Sequence, residues 1–233
     1  MIAVTFALPA ESSGFLRRLH KQTISDRNGV RVIHGEIDNR AIEVLHTGVG
    51  EKVCRERMAN FLRDREFTYL ISAGFAGALN NRLQAGDLLI AENFSTVQLA
   101  EARSALSTLP IHTADLVTVP LMIDSTEERK KIAQTTGAAA VDMETEFIAR
   151  ACAEHGIPLF SLRAISDTPG EPFPAPSNIL FDVVNQRTNL VKLAAFFLTR
   201  PNRVPRLIQF AKRIARARET LASAIVEVLR AIG

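Results

Sequence analysis

The chain has 233 residues, of which 47% are apolar, so it can bury one sizeable core. No uninterrupted apolar run approaches the roughly 18 residues that a bilayer-spanning helix needs, and the amino terminus enters a strand without a basic region and apolar stretch before a cleavage site, so a cytoplasmic protein is expected. The charge is nearly balanced, with 28 basic and 25 acidic residues. Cys54 and Cys152 are far apart and the five histidines are scattered, so neither a disulfide framework nor a metal site is expected. No organic cofactor is implied either.

In chain order, apolar patterning predicts a strand over 2–8, a helix over 11–20, and strands over 30–37 and 40–47 joined by an Asp38-Asn39 hairpin. A helix over 49–63 and strands over 68–74 and 86–92 follow. Residues 93–114 show no clear period. A strand over 115–122 precedes a helix over 125–135, which Ser125 and Glu128 open as a capping box. Next come a strand over 138–142, a helix over 144–155 closed by Gly156 and Pro158, and a strand over 158–165. Four prolines between Pro169 and Pro176 predict a loop over a pocket, followed by helices over 177–199 and 204–232. Strands alternating with helices predict a single α/β domain over 1–233, its sheet mixed, mainly parallel and covered on both faces.

Two segments concentrate the chemistry: Ala140-Val141-Asp142-Met143-Glu144 and Arg163-Ala164-Ile165-Ser166-Asp167. Each ends an apolar run in a carboxylate. In open α/β sheets such positions face the ligand crevice, so Glu144 and Asp167 are expected in one pocket; taken singly, each reads equally well as a helix cap or a solvated turn. Gly74-Phe75-Ala76-Gly77 also follows a strand and lets the backbone approach a flat ligand, or merely turn tightly. Gly48-Val49-Gly50 lacks the third glycine of a dinucleotide fingerprint and has no phosphate-loop lysine behind it.

These segments carry a resemblance. AVDMETEFIARAC and SLRAISD resemble the closing signatures of the superfamily of purine nucleoside phosphorylases and 5′-methylthioadenosine/S-adenosylhomocysteine nucleosidases. FALPAES, HTGVGEKV and ISAGFAGALNNRLQAGDLLIAE agree in order and spacing, so the likeness runs from residue 1 to about residue 170. It implies cleavage of the bond between ribose and a purine, on an adenine nucleoside. Asp167 would protonate the leaving base with Ser166 beside it, and Glu144 would accept hydrogen bonds from the ribose hydroxyls. Met143 would pack on the sugar, Ala76 and Gly77 would lie by the base, and Val49 with residues 168–177 would shape the 5′ site. Met122 and Ile123, at the end of the 115–122 strand, would bind the base, although Met122 reads equally well as core.

The resemblance leaves the attacking group open between water and phosphate. Phe75 stands where phosphorylases carry a serine and Ser72 where bacterial ones carry an arginine, which favours water. The nucleosidase base aligns with Ser12, so Glu11 would serve after a shift of one residue; it reads otherwise as a first-turn acid favoured by the helix dipole. Hydrolysis is the first expectation, phosphorolysis the alternative, and a nucleoside-binding protein without turnover the second alternative. Relatives of this kind imply a homodimer.

Residues 200–233 hold eight basic residues against Glu219 and Glu227, a charge of +6, leaving about −3 for the rest of the +3 chain. The segment reads as a docked helix with a solvated basic face, or as a peripheral contact with anionic lipid. A similar basic tail occurs in the hopanoid-associated phosphorylase branch, implicated in removing adenine from an adenosyl lipid. Nucleic acid is not expected, because Phe210 is the sole aromatic of the patch.

Overall fold

The computed structural model describes residues 1–97, 99–176, 179, 186 and 190–231. Ten strands join in one mixed sheet: β1 (Ile2–Phe6), β2 (His20–Arg27), β3 (Val30–Ile37), β4 (Arg40–His46), β5 (Tyr69–Ala78), β6 (Leu88–Ala91), β7 (Ile111–Ala114), β8 (Leu116–Thr118), β9 (Ala140–Asp142) and β10 (Leu159–Asp167). The order is β2-β3-β4-β1-β5-β10-β6-β7, with β9 pairing β5 and β8. β4, β1, β5 and β10 are mutually parallel, whereas the hairpins at one edge and the β10–β6 and β5–β9 pairs are antiparallel.

The helices are α1 (Pro9–Leu16), α2 (Glu51–Leu62), α3 (Leu99–Ala105), α4 (Thr126–Thr136), α5 (Thr145–Glu154), α6 (Leu190–Leu198) and α7 (Val204–Ala231). All five residues of β1 are buried, and successive side chains point to opposite faces. Ile2, Val4 and Phe6 join α7 residues such as Leu221, Ile225 and Leu229 in one core, while Ala3 joins Cys54, Met58 and Phe61 of α2 and Ile148 and Cys152 of α5 in the other. A sheet covered on both faces is the reason its central strands read as continuous apolar runs.

The structure departs from the sequence expectations at specific places. β2 was not expected, because HKQTISDR is polar and nearly wholly exposed at the sheet edge. Its hairpin with β3 is signalled by Asn28-Gly29, both at positive φ (53° and 76°), like the expected Asp38-Asn39 turn (49° and 63°). α1 therefore stops at Leu16, short of residue 20. The stretch without a period contains a 3-10 turn at Glu92–Phe94, α3 and β7. The strand expected over 115–122 ends at Thr118, so Met122 and Ile123 lie beyond it, in the connection to α4. β5 and β10 run longer than their apolar cores. Of the helix expected over 177–199, Leu190–Leu198 is seen; most of 177–189 lies outside the described residues.

α7 is divided. Its carboxyl-terminal half buries Leu221, Ala224, Ile225, Val228 and Leu229, while Ile208 near its start is 50% exposed. Leu221→Ala is expected to cost about 2–5 kcal/mol in urea unfolding, and Ile208→Ala no more than about 0.5 kcal/mol. Equal losses would refute the division.

Candidate active site

The carboxyl ends of β1, β5 and β10 open on one cavity of about 500 Å³. Its wall includes the ten residues expected at the site, Glu11, Val49, Ala76, Gly77, Met122, Ile123, Met143, Glu144, Ser166 and Asp167. Ser12 is turned away, its hydroxyl 2.7 Å from His46 Nε2 and donating to the Pro9 carbonyl at 3.2 Å. Between Glu11 and Ser12, it is thus Glu11 that reaches the cavity. The loop expected over the pocket contributes Phe173, which meets Phe210 of α7 edge-on at 5.5 Å.

Each acid is held differently. Glu11, in the first turn of α1, accepts the backbone N–H groups of Ala7 (2.9 Å), Leu8 (3.0 Å) and Phe75 (3.2 Å). Burial raises its pKa, opposed by those hydrogen bonds. Asp167 is the last residue of β10 and pairs in register with Gly77. The Ser166 hydroxyl donates to its Oδ1 at 2.6 Å, and buried Arg129 of α4 forms an ion pair with its Oδ2. Burial raises the Asp167 pKa, while Arg129 and Ser166 pull the other way. A Cβ at Gly77 would sit 3.1 Å from Arg129 and 3.2 Å from the Asp167 carboxylate, so a side chain there would press on that ion pair.

Glu144 precedes α5 and accepts a single backbone hydrogen bond, from Gly50 at 3.0 Å. Burial, reinforced by the neighbouring Asp142 carboxylate, pushes it up to about 8. Asp142 itself is committed elsewhere: it binds Arg163 Nε at 3.0 Å and the Thr118 hydroxyl at 2.8 Å. Arg163 also donates to the Ser72 carbonyl (2.7 Å) and hydroxyl (2.8 Å). This network ties β9, β10 and β5 together behind the cavity.

The fold and the sequence have known counterparts. Residues 93–200 match the model of the phosphorylase superfamily. The 5′-methylthioadenosine/S-adenosylhomocysteine nucleosidase of Staphylococcus epidermidis is 23% identical over 181 residues, covering 63% of this chain and 79% of the relative. The corresponding enzyme of Buchnera aphidicola is 23% identical, covering 72% and 78%. Among solved structures, the nucleosidase of S. pneumoniae with a transition-state inhibitor superposes with a TM-score of 0.74 at 19% identity, covering 100% of this chain and 99% of the other. Over residues 93–200 the chain is thus similar to the phosphorylase superfamily, and its fold is that of the solved nucleosidases. Futalosine hydrolase of Helicobacter pylori shares its fold as well, with a TM-score of 0.73 at 17% identity over 98% and 97% of the two chains.

Two kinds of cavity residue were not legible in the sequence. Arg129 lies in the middle of a polar helix, where nothing in the local pattern marks it as buried; only the packing of α4 against β5 brings it to Asp167. Leu193 of α6 and Leu207, Phe210 and Ile214 of α7 form a long apolar wall. Their helical periodicity was legible, but not the partner that it covers.

The Glu144 shift makes a prediction about stability. Its folded pKa of about 8 lies above the ordinary 4.5, so the folded state keeps a proton that the unfolded state releases. The stabilisation is complete below pH 4.5 and is lost as pH rises through 8. Glu144→Gln should therefore flatten the decline in melting temperature across that window. An unchanged slope would exclude Glu144 as its source.

Proposed function

We propose that this chain cleaves the N-glycosidic bond of an adenine nucleoside, such as 5′-methylthioadenosine or S-adenosylhomocysteine, with water as the acceptor. The observation carrying this reading is that four buried carboxylates line one largely apolar cavity, Asp142 tied to Arg163 and Glu11, Glu144 and Asp167 left to meet a ligand. Departure of a purine builds negative charge on the base and positive charge on the ribose, and an enzyme gains by answering both. Asp167, which burial biases toward its neutral form, hands a proton to an imidazole-ring nitrogen of the base. Glu144 accepts the ribose hydroxyls, and the developing ribosyl cation favours its ionised form. Met143 packs on the sugar, and Ala76, Gly77, Met122 and Ile123 flank the base.

Glu11 is the group that takes a proton from the attacking water; its three N–H partners support the carboxylate in this role and fix its direction. Water is favoured over phosphate because Arg163 is engaged with Asp142 and Ser72, and Arg129 with Asp167, so neither guanidinium is left for an anionic nucleophile. The names of the relatives, nucleosidases and a futalosine hydrolase, support the same reading. Phosphorolysis is a second reading, favoured by one observation: Arg218 lines the cavity and its Nε has no hydrogen-bond partner.

Purified protein incubated with 5′-methylthioadenosine, S-adenosylhomocysteine or adenosine should release adenine and free sugar without added phosphate. Asp167→Asn should lower kcat by about 10²–10⁴-fold while nucleoside affinity, measured by calorimetry, changes little. Adenine formed only with phosphate, together with a ribose 1-phosphate, would transfer the reading to phosphorolysis. Nucleoside binding without any turnover would make the chain a binding protein.

A further inference from the structure

We propose that α6 and the amino-terminal half of α7 form a docking surface for an anionic lipid bilayer. Over Leu190–Leu198 the chain reads LVKLAAFFL, with Lys192 as its one charged residue. Such a segment would ordinarily be buried, yet Val191 is 79% and Leu198 82% exposed, and Ala194 and Ala195 are exposed beside them. Ile208 extends the apolar surface onto α7. No described helix is long and apolar enough to cross a membrane, so the apolar residues can meet a bilayer only at its interface.

Charge complements this surface. Residues 190–218 hold eight basic side chains and no acid. Arg213 is engaged with Glu171 at 2.7 Å, and Arg218 reaches the Ala10 carbonyl at 3.5 Å. Arg206, Lys212 and Arg216 are exposed, and Ile208, Lys212 and Arg216 recur at helical spacing along one stripe of α7. Arg200 and Arg203 lie over the Phe196 ring at 4.5 and 5.7 Å. Cations interleaved with exposed aliphatic side chains and the half-buried Phe196 ring suit the boundary between headgroups and acyl chains, where the stem enters the apolar layer and the charge meets phosphate. A second copy of this chain is a poorer occupant, because a two-fold contact would set the basic surface against itself. Nucleic acid has no use for Val191, Leu198 and Ile208, which offer no stacking face.

The proposal does not depend on which nucleophile the cavity uses, or on turnover at all. Its test is co-sedimentation of the full chain with vesicles of phosphatidylcholine alone and of phosphatidylcholine with about one-third phosphatidylglycerol, at about 0.1 M salt. The wild-type chain should partition at least about tenfold better onto the anionic vesicles. Lys212→Glu with Arg216→Glu should reduce that partitioning at least about tenfold, and Leu198→Glu should reduce it independently. None of these residues lines the cavity, so adenine release from a small nucleoside and the melting temperature should stay at wild-type values. The proposal is overturned by failure of the wild-type chain to bind anionic vesicles, by equal binding to neutral ones, or by wild-type binding of both variants. A concentration-dependent dimer that the same substitutions abolish, without vesicle binding, would assign the surface to a second copy instead.

Discussion

Keeping carboxylates out of water around one cavity is the constraint on which the rest of this structure depends. An isolated buried charge is costly, and a protein must pair it, surround it with donors or neutralise it. All three solutions occur here within one wall. Asp142 and Asp167 are paired with Arg163 and Arg129. Glu11 is surrounded by three backbone donors. Glu144, with one backbone donor and a like charge nearby, is left to hold its proton. Carboxylates with such different environments can take different roles in a single reaction.

The secondary structure around the cavity is arranged to supply these partners. Arg163 projects from β10 behind the site and reaches Ser72 on β5 as well as Asp142 on β9, so one guanidinium joins three strands. Arg129 performs the same service from outside the sheet, anchored by the carbonyls of Ala78 (2.8 Å) and Ile123 (3.0 Å) before it meets Asp167. Removing one member of such a buried pair leaves the other uncompensated, so these arginines carry both the geometry of the site and part of its stability.

α7 links the core to the surface. Its carboxyl-terminal half packs under the sheet beside β1 and β10, which makes the helix integral to the fold. The amino-terminal half runs along the cavity, where Leu207, Phe210 and Ile214 face inward and Arg206, Lys212 and Arg216 face solvent. A single amphipathic helix thus changes its partner along its length, from sheet to cavity wall.

The sequence by itself determined the alternation of strands and helices, the Asp38-Asn39 hairpin, the capping of α4 by Ser125, and the placing of Glu144 and Asp167 at the carboxyl ends of strands. These depend on short-range rules: side-chain period, turn chemistry and post-strand position. It did not reveal β2, whose polar residues bury nothing and are held by edge hydrogen bonds, nor the early end of β8, where Thr118 gives way to a connection. Nor did it reveal Arg129 or the partners of Arg163. Those were decided only by tertiary structure. Burial and partner choice for a charged side chain depend on which distant elements pack against it, and residues 129 and 167 become neighbours only when α4 and β10 close on β5.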